Sequence, residues 1–301
     1  MCRRSIEYEG EGRNMKSDEP DFAAPVIIVG PGRSGTTLLG SALGEHPDFY
    51  MIGETQFLLP RLWKTLHEFP SFFTFKRFSK LAQQTRPEWR ELPWYTFAVE
   101  VAGPEMSKLP EMAEAIAGAE KERIARDLGA SFALMLIPPG LRRRHWGMQE
   151  IWIGSDSFPY SFELYESAFP RARYLHSIRN PLTYIASCFN NNQVDASMEA
   201  AVHQLNQWCK MTAHARTLAP TGRYMEFRHE DFVGDQGRTA ERVFAFVGLD
   251  FPERCRRTLD IRHLPSSGPN AFLDRADELL AAVPGLREEM RDLGYLDSSD
   301  S

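Results

Sequence analysis

Two groups of residues in this 301-residue chain have the types and spacing to grip an anion. The first is Gly30-Pro31-Gly32-Arg33-Ser34-Gly35-Thr36-Thr37, which packs three glycines, a guanidinium and three hydroxyls into eight positions. Backbone N–H groups in such a turn converge on oxyanions, and Arg33 adds two parallel donors. The second is Arg179 with Ser187, eight positions further on. A guanidinium and a hydroxyl at that spacing suit a phosphate, and two such sites suit a ligand charged at both ends.

The elements that position these groups are legible. Val26 to Val29 is a β-branched run without polar alternation, which predicts a strand buried on both faces, as in a parallel sheet covered by helices. Gly30 and Gly32 turn the chain, and Leu38, Leu39, Ala42 and Leu43 then share one side of a helix beginning near Gly35, with Gly44 as its C-terminal stop. The N-terminus of that helix favours a bound anion. A nucleoside-triphosphate loop reads G-x-x-x-x-G-K-[S/T], whereas here Thr36 occupies the lysine position and Arg33, inside the loop, is the cation. The second group follows a strand at 173–178. Asn180 is a good N-cap and Pro181 suits the first helical position, so a helix starts directly after Arg179. Leu182, Ile185, Ala186 and Phe189 form its apolar stripe. Ser187 falls on the polar side with Asn180 and Asn191, so Arg179 and Ser187 are expected to face a common ligand from the solvent side.

On these residues the chain resembles the sulfotransferases that use 3′-phosphoadenosine 5′-phosphosulfate (PAPS), closest in motif style to the tyrosylprotein and bacterial branch. Gly30 to Leu39 is similar to the family's 5′-phosphosulfate loop, and Arg173 to Phe189 to its 3′-phosphate segment. Arg228-His229-Glu230-Asp231-Phe232 resembles a later strand end of the family whose aromatic lies near the adenine. His229 is either that group or a surface histidine. The likeness spans roughly residues 24 to 60 and 145 to 295, and is specific in the first two motifs.

The resemblance implies PAPS as sulfuryl donor, no metal, and binding by Gly32, Arg33, Ser34, Gly35, Thr36, Thr37, Arg179 and Ser187, with Ser267 in a late loop that wraps the nucleotide. Gly53-Glu54-Thr55 is similar to the segment that carries a glutamate base, so Glu54 and Arg33 are the expected catalytic residues. A strand at 49–52 parallel to the first would end at the same sheet edge and bring Glu54 near the loop. Partial burial would tune its carboxyl upward. His46 before Pro47 is a lesser candidate for the base, and a carboxylate stabilising a helix from Thr55 is the plain alternative for Glu54. In Trp146-Gly147-Met148-Gln149-Glu150 the family commonly has lysine at the place of Gln149. Either Arg33 carries more of the load, or Arg142, Arg143, Arg144 or His145 substitutes for it.

The expected fold is α/β: a central parallel sheet with helices on both faces, a P-loop-like turn and a helical insertion at 55–145. Residues 1–24 read as a flexible tail and 25–297 as a single domain. The insertion holds eleven aromatics between Phe57 and Phe97, a density that suits an acceptor pocket as well as helix packing. Helices are also expected at 111–137 and 196–219. A net charge of −6 argues against a general nucleic-acid binder. No stretch is apolar enough for stable membrane insertion, and four scattered cysteines fit a cytoplasmic protein. The partner implied is a small-molecule acceptor offering a hydroxyl or amine, with oligomeric state open. A nucleotide kinase or NTPase remains an alternative, against which the missing lysine counts, as does a non-catalytic PAPS-binding module, which Gln149 keeps open.

Overall fold

The computed structural model describes residues 21–61, 109–151, 153–156, 161–191, 197–261 and 273–296. Five strands, all parallel, lie side by side in the order β2 (Phe49–Glu54), β3 (His145–Ile151), β1 (Val26–Gly30), β4 (Arg173–Ile178) and β5 (Tyr224–Arg228). The β-branched run thus becomes the middle strand, with every residue of β1 buried. β2 is parallel to β1 as expected, but β3 lies between them, so Glu54 stands at the sheet edge.

Helices cover both faces. Ile27 and Val29 point into a core built with α2 (Leu109–Leu136) and α3 (Ser161–Ala168), where Phe132, Trp146, Tyr165, Phe169 and Tyr174 pack. Val26 and Ile28 point the other way, onto Leu38, Leu39, Ala42 and Leu43 of α1 (Thr36–Gly44) and onto Val243 and Phe244. A third cluster joins Ile178 and Ile185 to Trp208 and Leu279, through α4 (Pro181–Asn190) and α5 (Met198–Arg216). Each fully buried aliphatic side chain contributes about 1.5–3 kcal/mol. The three clusters therefore hold β1 and β4 as one rigid frame for the turns at their C-terminal ends.

Some local expectations change. Gly44 is the last residue of α1 rather than its stop, and the helix ends through Glu45, whose N–H bonds the Ser41 carbonyl, and His46, whose N–H bonds the Leu43 carbonyl. The helices foreseen at 111–137 and 196–219 are α2 and α5. Arg142, Arg143 and Arg144 precede the first residue of β3, at the end of the sheet remote from Glu54, so they do not replace the lysine missing at Gln149. Residues 1–20, the stretch from Trp63 to Phe97 and Ser267 lie outside the described residues.

Between β4, β5 and α5 sits a half-buried polar knot. Arg216 donates from Nε and Nη2 to the two oxygens of Glu226, both at 2.9 Å, and Tyr224 donates to Glu226 at 2.7 Å. His176, fully buried, shares its Nδ1 with the Tyr224 hydroxyl at 2.7 Å. Burial alone would raise the Glu226 acid, but hydrogen bonds from Arg216, His176 and Tyr224 hold it well below the ordinary 4.5. A carboxyl depressed on folding gives stability that is present above that ordinary value and is lost as pH falls below it. Glu226→Gln is expected to cost about 2 kcal/mol at neutral pH, as for a lost bond to a charged group, and to flatten the acid limb. Thermal melts from pH 7 to pH 3 check this, and equal acid loss in the variant would refute it.

Candidate functional site

The turn after β1 is shaped by close approach. A Cβ on Gly30, whose φ is +140°, would lie 2.3 Å from the Ser177 carbonyl oxygen, so β1 meets β4 through a hydrogen atom alone. Ser34 is buried and commits its hydroxyl to the Pro31 carbonyl at 2.6 Å, while its own carbonyl accepts from Ser177 Oγ at 2.6 Å. The loop is thereby stapled to itself and to β4. Ser34 offers a ligand its backbone. Arg33 takes a left-handed φ of 65° without being glycine. Such a residue persists where its surroundings over-determine it.

Those surroundings come from the second motif. Asn180 caps α4 by accepting from Leu182 and Thr183, and Pro181 is its first residue. Arg179, at the end of β4, donates through Nη1 to the Arg33 carbonyl and through Nε to Thr183 Oγ1 at 3.3 Å. Arg33 Nε reaches Ser187 Oγ at 3.4 Å. The two candidate grips are therefore one site, built by residues 146 and 154 positions apart. Ser187 and Arg179 are buried, at 7% and 6% exposure, which corrects the expectation that they face the solvent side. The polar stripe of α4 is turned onto the loop.

The charge at this junction is positive. Burial and neighbouring Arg33 lower the Arg179 pKa, while Glu230 raises it. Glu230 is itself engaged, accepting from the Asn180 N–H at 2.9 Å and from the Tyr295 hydroxyl at 2.9 Å. Neither Glu230 nor Tyr295 was foreseen as part of the site. The guanidinium groups of Arg33 and Arg179 outnumber this one carboxylate, so the junction has room for an anion's charge.

Helix α1 begins beyond the loop with Gly35 as a left-handed N-cap at φ +86° and no side-chain cap. Its first N–H groups are thus left for an external acceptor. Thr36 is buried, Thr37 is exposed, and Gly32 and Gly35 are half-buried. His229 packs on this cap: a Cβ on Gly35 would meet its Nδ1 at 3.3 Å and Phe232 at 3.1 Å. It is buried rather than on the surface, which settles that alternative. Burial, with help from Arg179, pushes its pKa down to about 4, so the ring is neutral at pH 7. Its Nδ1 has no partner. An uncapped helix, two cations and an orphaned imidazole nitrogen fit a ligand carrying anionic oxygens beside a polar ring.

Glu54 ends β2 in register with Gln149 of β3. Two strand spacings, roughly 10 Å, separate it from the end of β1. It lines a cavity of about 250 Å³ with Gln56, Phe57, Arg61, Gln149, Glu150 and Ile151. Glu54 is exposed among the described residues, so the expected burial of the base is absent. Among the described residues the buried carboxyl is Glu150, at 1% exposure, the penultimate residue of β3. The Gln149 amide lies directly against α1, where a Cβ on Gly40 would overlap it. His46, buried, bonds Asp250 at 3.0 Å and the Asp48 N–H at 3.1 Å, as a turn element does. Among the described residues no group of side chains has the composition of a metal site, and no helix is long and apolar enough to cross a membrane.

A profile described as the sulfotransferase family matches residues 25–253. The structure is similar to the sulfotransferase domain from the curacin biosynthetic pathway, at 15% identity over 91% of this chain and 98% of that one, with a TM-score of 0.52. It is also similar to sulfotransferase STF9 from Mycobacterium avium, at 15% identity over 89% of this chain and 76% of that one, with a TM-score of 0.50. At such identities the two structures speak for the fold alone. No curated protein sequence matches the chain.

Proposed function

Because the chain belongs to the sulfotransferase family, and is thus a PAPS-dependent sulfotransferase, we propose that its two motifs hold one PAPS molecule and that Glu54 is the base. The 5′-phosphosulfate lies on Gly32 to Thr37 and the N-terminus of α1, and the 3′-phosphate lies on Arg179 and Ser187. Ser267 joins from the late loop. The observation that carries this reading is the pair of contacts Arg179 to Arg33 and Arg33 to Ser187, which make a continuous cationic floor.

When bound, PAPS supplies a sulfuryl group on an activated phosphate. Glu54 takes the proton of the acceptor hydroxyl or amine as the acceptor's oxygen or nitrogen bonds to sulfur. Arg33, Thr36 or Thr37 and the α1 N–H groups stabilise the negative charge that collects on the bridging oxygen as its bond to sulfur breaks. The electron pair leaves with adenosine 3′,5′-bisphosphate. With glutamine at the usual lysine place, Arg33 is the main cation at the sulfur end. The acceptor is a small molecule, entering beside Glu54. The reading extends to a single domain over 25–297 and to a cytoplasmic location, supported by Cys188, Cys209 and Cys255 all being free thiols.

Calorimetric titration tests the proposal. Adenosine 3′,5′-bisphosphate is expected to bind tightly without metal, and ATP with Mg²⁺ weakly, since Thr36 stands where a triphosphate loop needs lysine. Tight ATP binding with no bisphosphate binding would overturn the assignment.

A further inference from the structure

β2 and β3 do not keep one register to their ends. Phe49, Tyr50 and Met51 of β2 pair with His145, Trp146 and Gly147, but Glu54 pairs with Gln149, so three steps along β2 match two along β3. One extra residue is held between Met51 and Glu54, which is a β-bulge. Gly53 lies in it with φ of +87°, a conformation that a residue with a Cβ rarely adopts.

The bulge decides which way Glu54 faces. Side chains alternate along a strand, so residues in register share one face of the sheet. Phe49 and Met51 pack on the α1 side, whereas Tyr50 and Ile52 pack on the opposite side with Trp146 and Met148. Regular alternation would carry Glu54 to that second side, level with Glu150. The extra residue turns it to the first side, level with Gln149, whose amide lies against Gly40 of α1. The Thr55 N–H bonds the Gln149 carbonyl at 3.4 Å, a long bond that this register alone allows. Because α1 is the helix whose uncapped N-terminus follows the loop of Arg33, Glu54 shares a face with the anion site.

We propose that Gly53 is a positioning residue for Glu54: by permitting the bulge it turns the carboxylate to the α1 side of the sheet, where the proposed site presents the sulfuryl group. The inference rests on the reading of Glu54 as the base. A Cβ on Gly53 would meet nothing within 4 Å among the described residues, whereas one on Gly30 would strike the Ser177 carbonyl. Backbone conformation, not packing against these residues, is therefore what calls for glycine at 53.

The test compares Gly53→Val with Gly53→Asn. Both place a side chain in the same open space, but valine favours a regular strand and resists positive φ, whereas asparagine accepts it. Three quantities are read: PAPS turnover with 4-nitrophenol as acceptor, affinity for adenosine 3′,5′-bisphosphate, and hydrogen exchange of the Thr55 amide. Gly53→Val is expected to lose about 100-fold in kcat, as for a misplaced catalytic group, with bisphosphate affinity kept and exchange at Thr55 faster. Gly53→Asn is expected to keep most of the turnover and of the Thr55 protection. Combined with Glu54→Gln, Gly53→Val is expected to cost no further turnover, because its effect passes through that carboxylate. Equal losses in Gly53→Val and Gly53→Asn, or a full further loss in the double variant, would overturn the proposal. Unchanged Thr55 exchange in Gly53→Val would overturn it without any assay of turnover. Should Gly53→Val not fold, Gly53→Ala is read by the same criteria, since alanine also resists positive φ. Failure of the base assignment is separate, because then Glu54→Gln by itself would keep its turnover.

Discussion

Glu54→Gln is expected to lower turnover by roughly 10²–10⁴-fold, the usual contribution of a positioned general base, while leaving the affinity for adenosine 3′,5′-bisphosphate as it is in the wild type. The amide matches the carboxylate in shape but cannot take the acceptor's proton. Glu54 stands two strands away from β1, with β3 between, so the substitution leaves the cradle of Arg33, Gly35 and Arg179 untouched. A drop in both turnover and nucleotide affinity would mean that Glu54 supports the loop. Full turnover with normal affinity would mean that another group accepts the proton. Single-turnover measurement with saturating PAPS separates these outcomes, since it reads the chemical step without product release.

Arg179→Ala is expected to weaken bisphosphate binding by about 2–4 kcal/mol, roughly 30- to 1,000-fold, as when one member of a desolvated charge pair is removed. Two effects act together. The variant loses a buried guanidinium that the proposed site gives to the 3′-phosphate, and it also frees the Arg33 carbonyl that Arg179 holds. Because Arg33 is left-handed at φ 65°, loss of that bond lets the loop relax. Arg179→Lys should recover only part of the loss, since one ammonium cannot bond Arg33, Thr183 and a phosphate in a fixed fork. Calorimetry on variants whose melting temperature matches the wild type checks both, and an Arg179→Ala affinity near the wild-type value would remove Arg179 from the site.

What the chain spells out locally was legible. The run Val26 to Val29 carries its own burial pattern, Asn180-Pro181 carries its own helix start, and the stripe of Leu38, Leu39, Ala42 and Leu43 carries its own face. The family likeness was legible for the same reason, since both motifs lie at turns where strand, glycine and cap fix the geometry. What depends on tertiary packing was hidden. No residue of β2 states that β3 will come between it and β1. A helical wheel puts Ser187 on the polar side of α4 but cannot say that this side packs against Arg33. His229 reads equally as a ring near the adenine or as a surface group, and only the packing of Gly35 and Phe232 against it removes the second. Glu150 escaped for the opposite reason: an acid in a strand suggests an outward position, and only α3 with Tyr165 covers it.

The cradle also has a place in the order of folding. Its closing contacts join Arg33 to residues 146 and 154 positions later, so the entropy of shutting that long loop must be overcome before Arg33 meets Arg179 or Ser187. Parallel strands paired at such distance assemble slowly. A chain emerging from the ribosome with β1 and α1 complete, but with β4 and α4 still unmade, carries the glycine turn without the groups that hold it. On the proposed site nucleotide capture is therefore a late event, and recovery of bisphosphate binding during refolding is expected to mark the moment when β4 has joined the sheet.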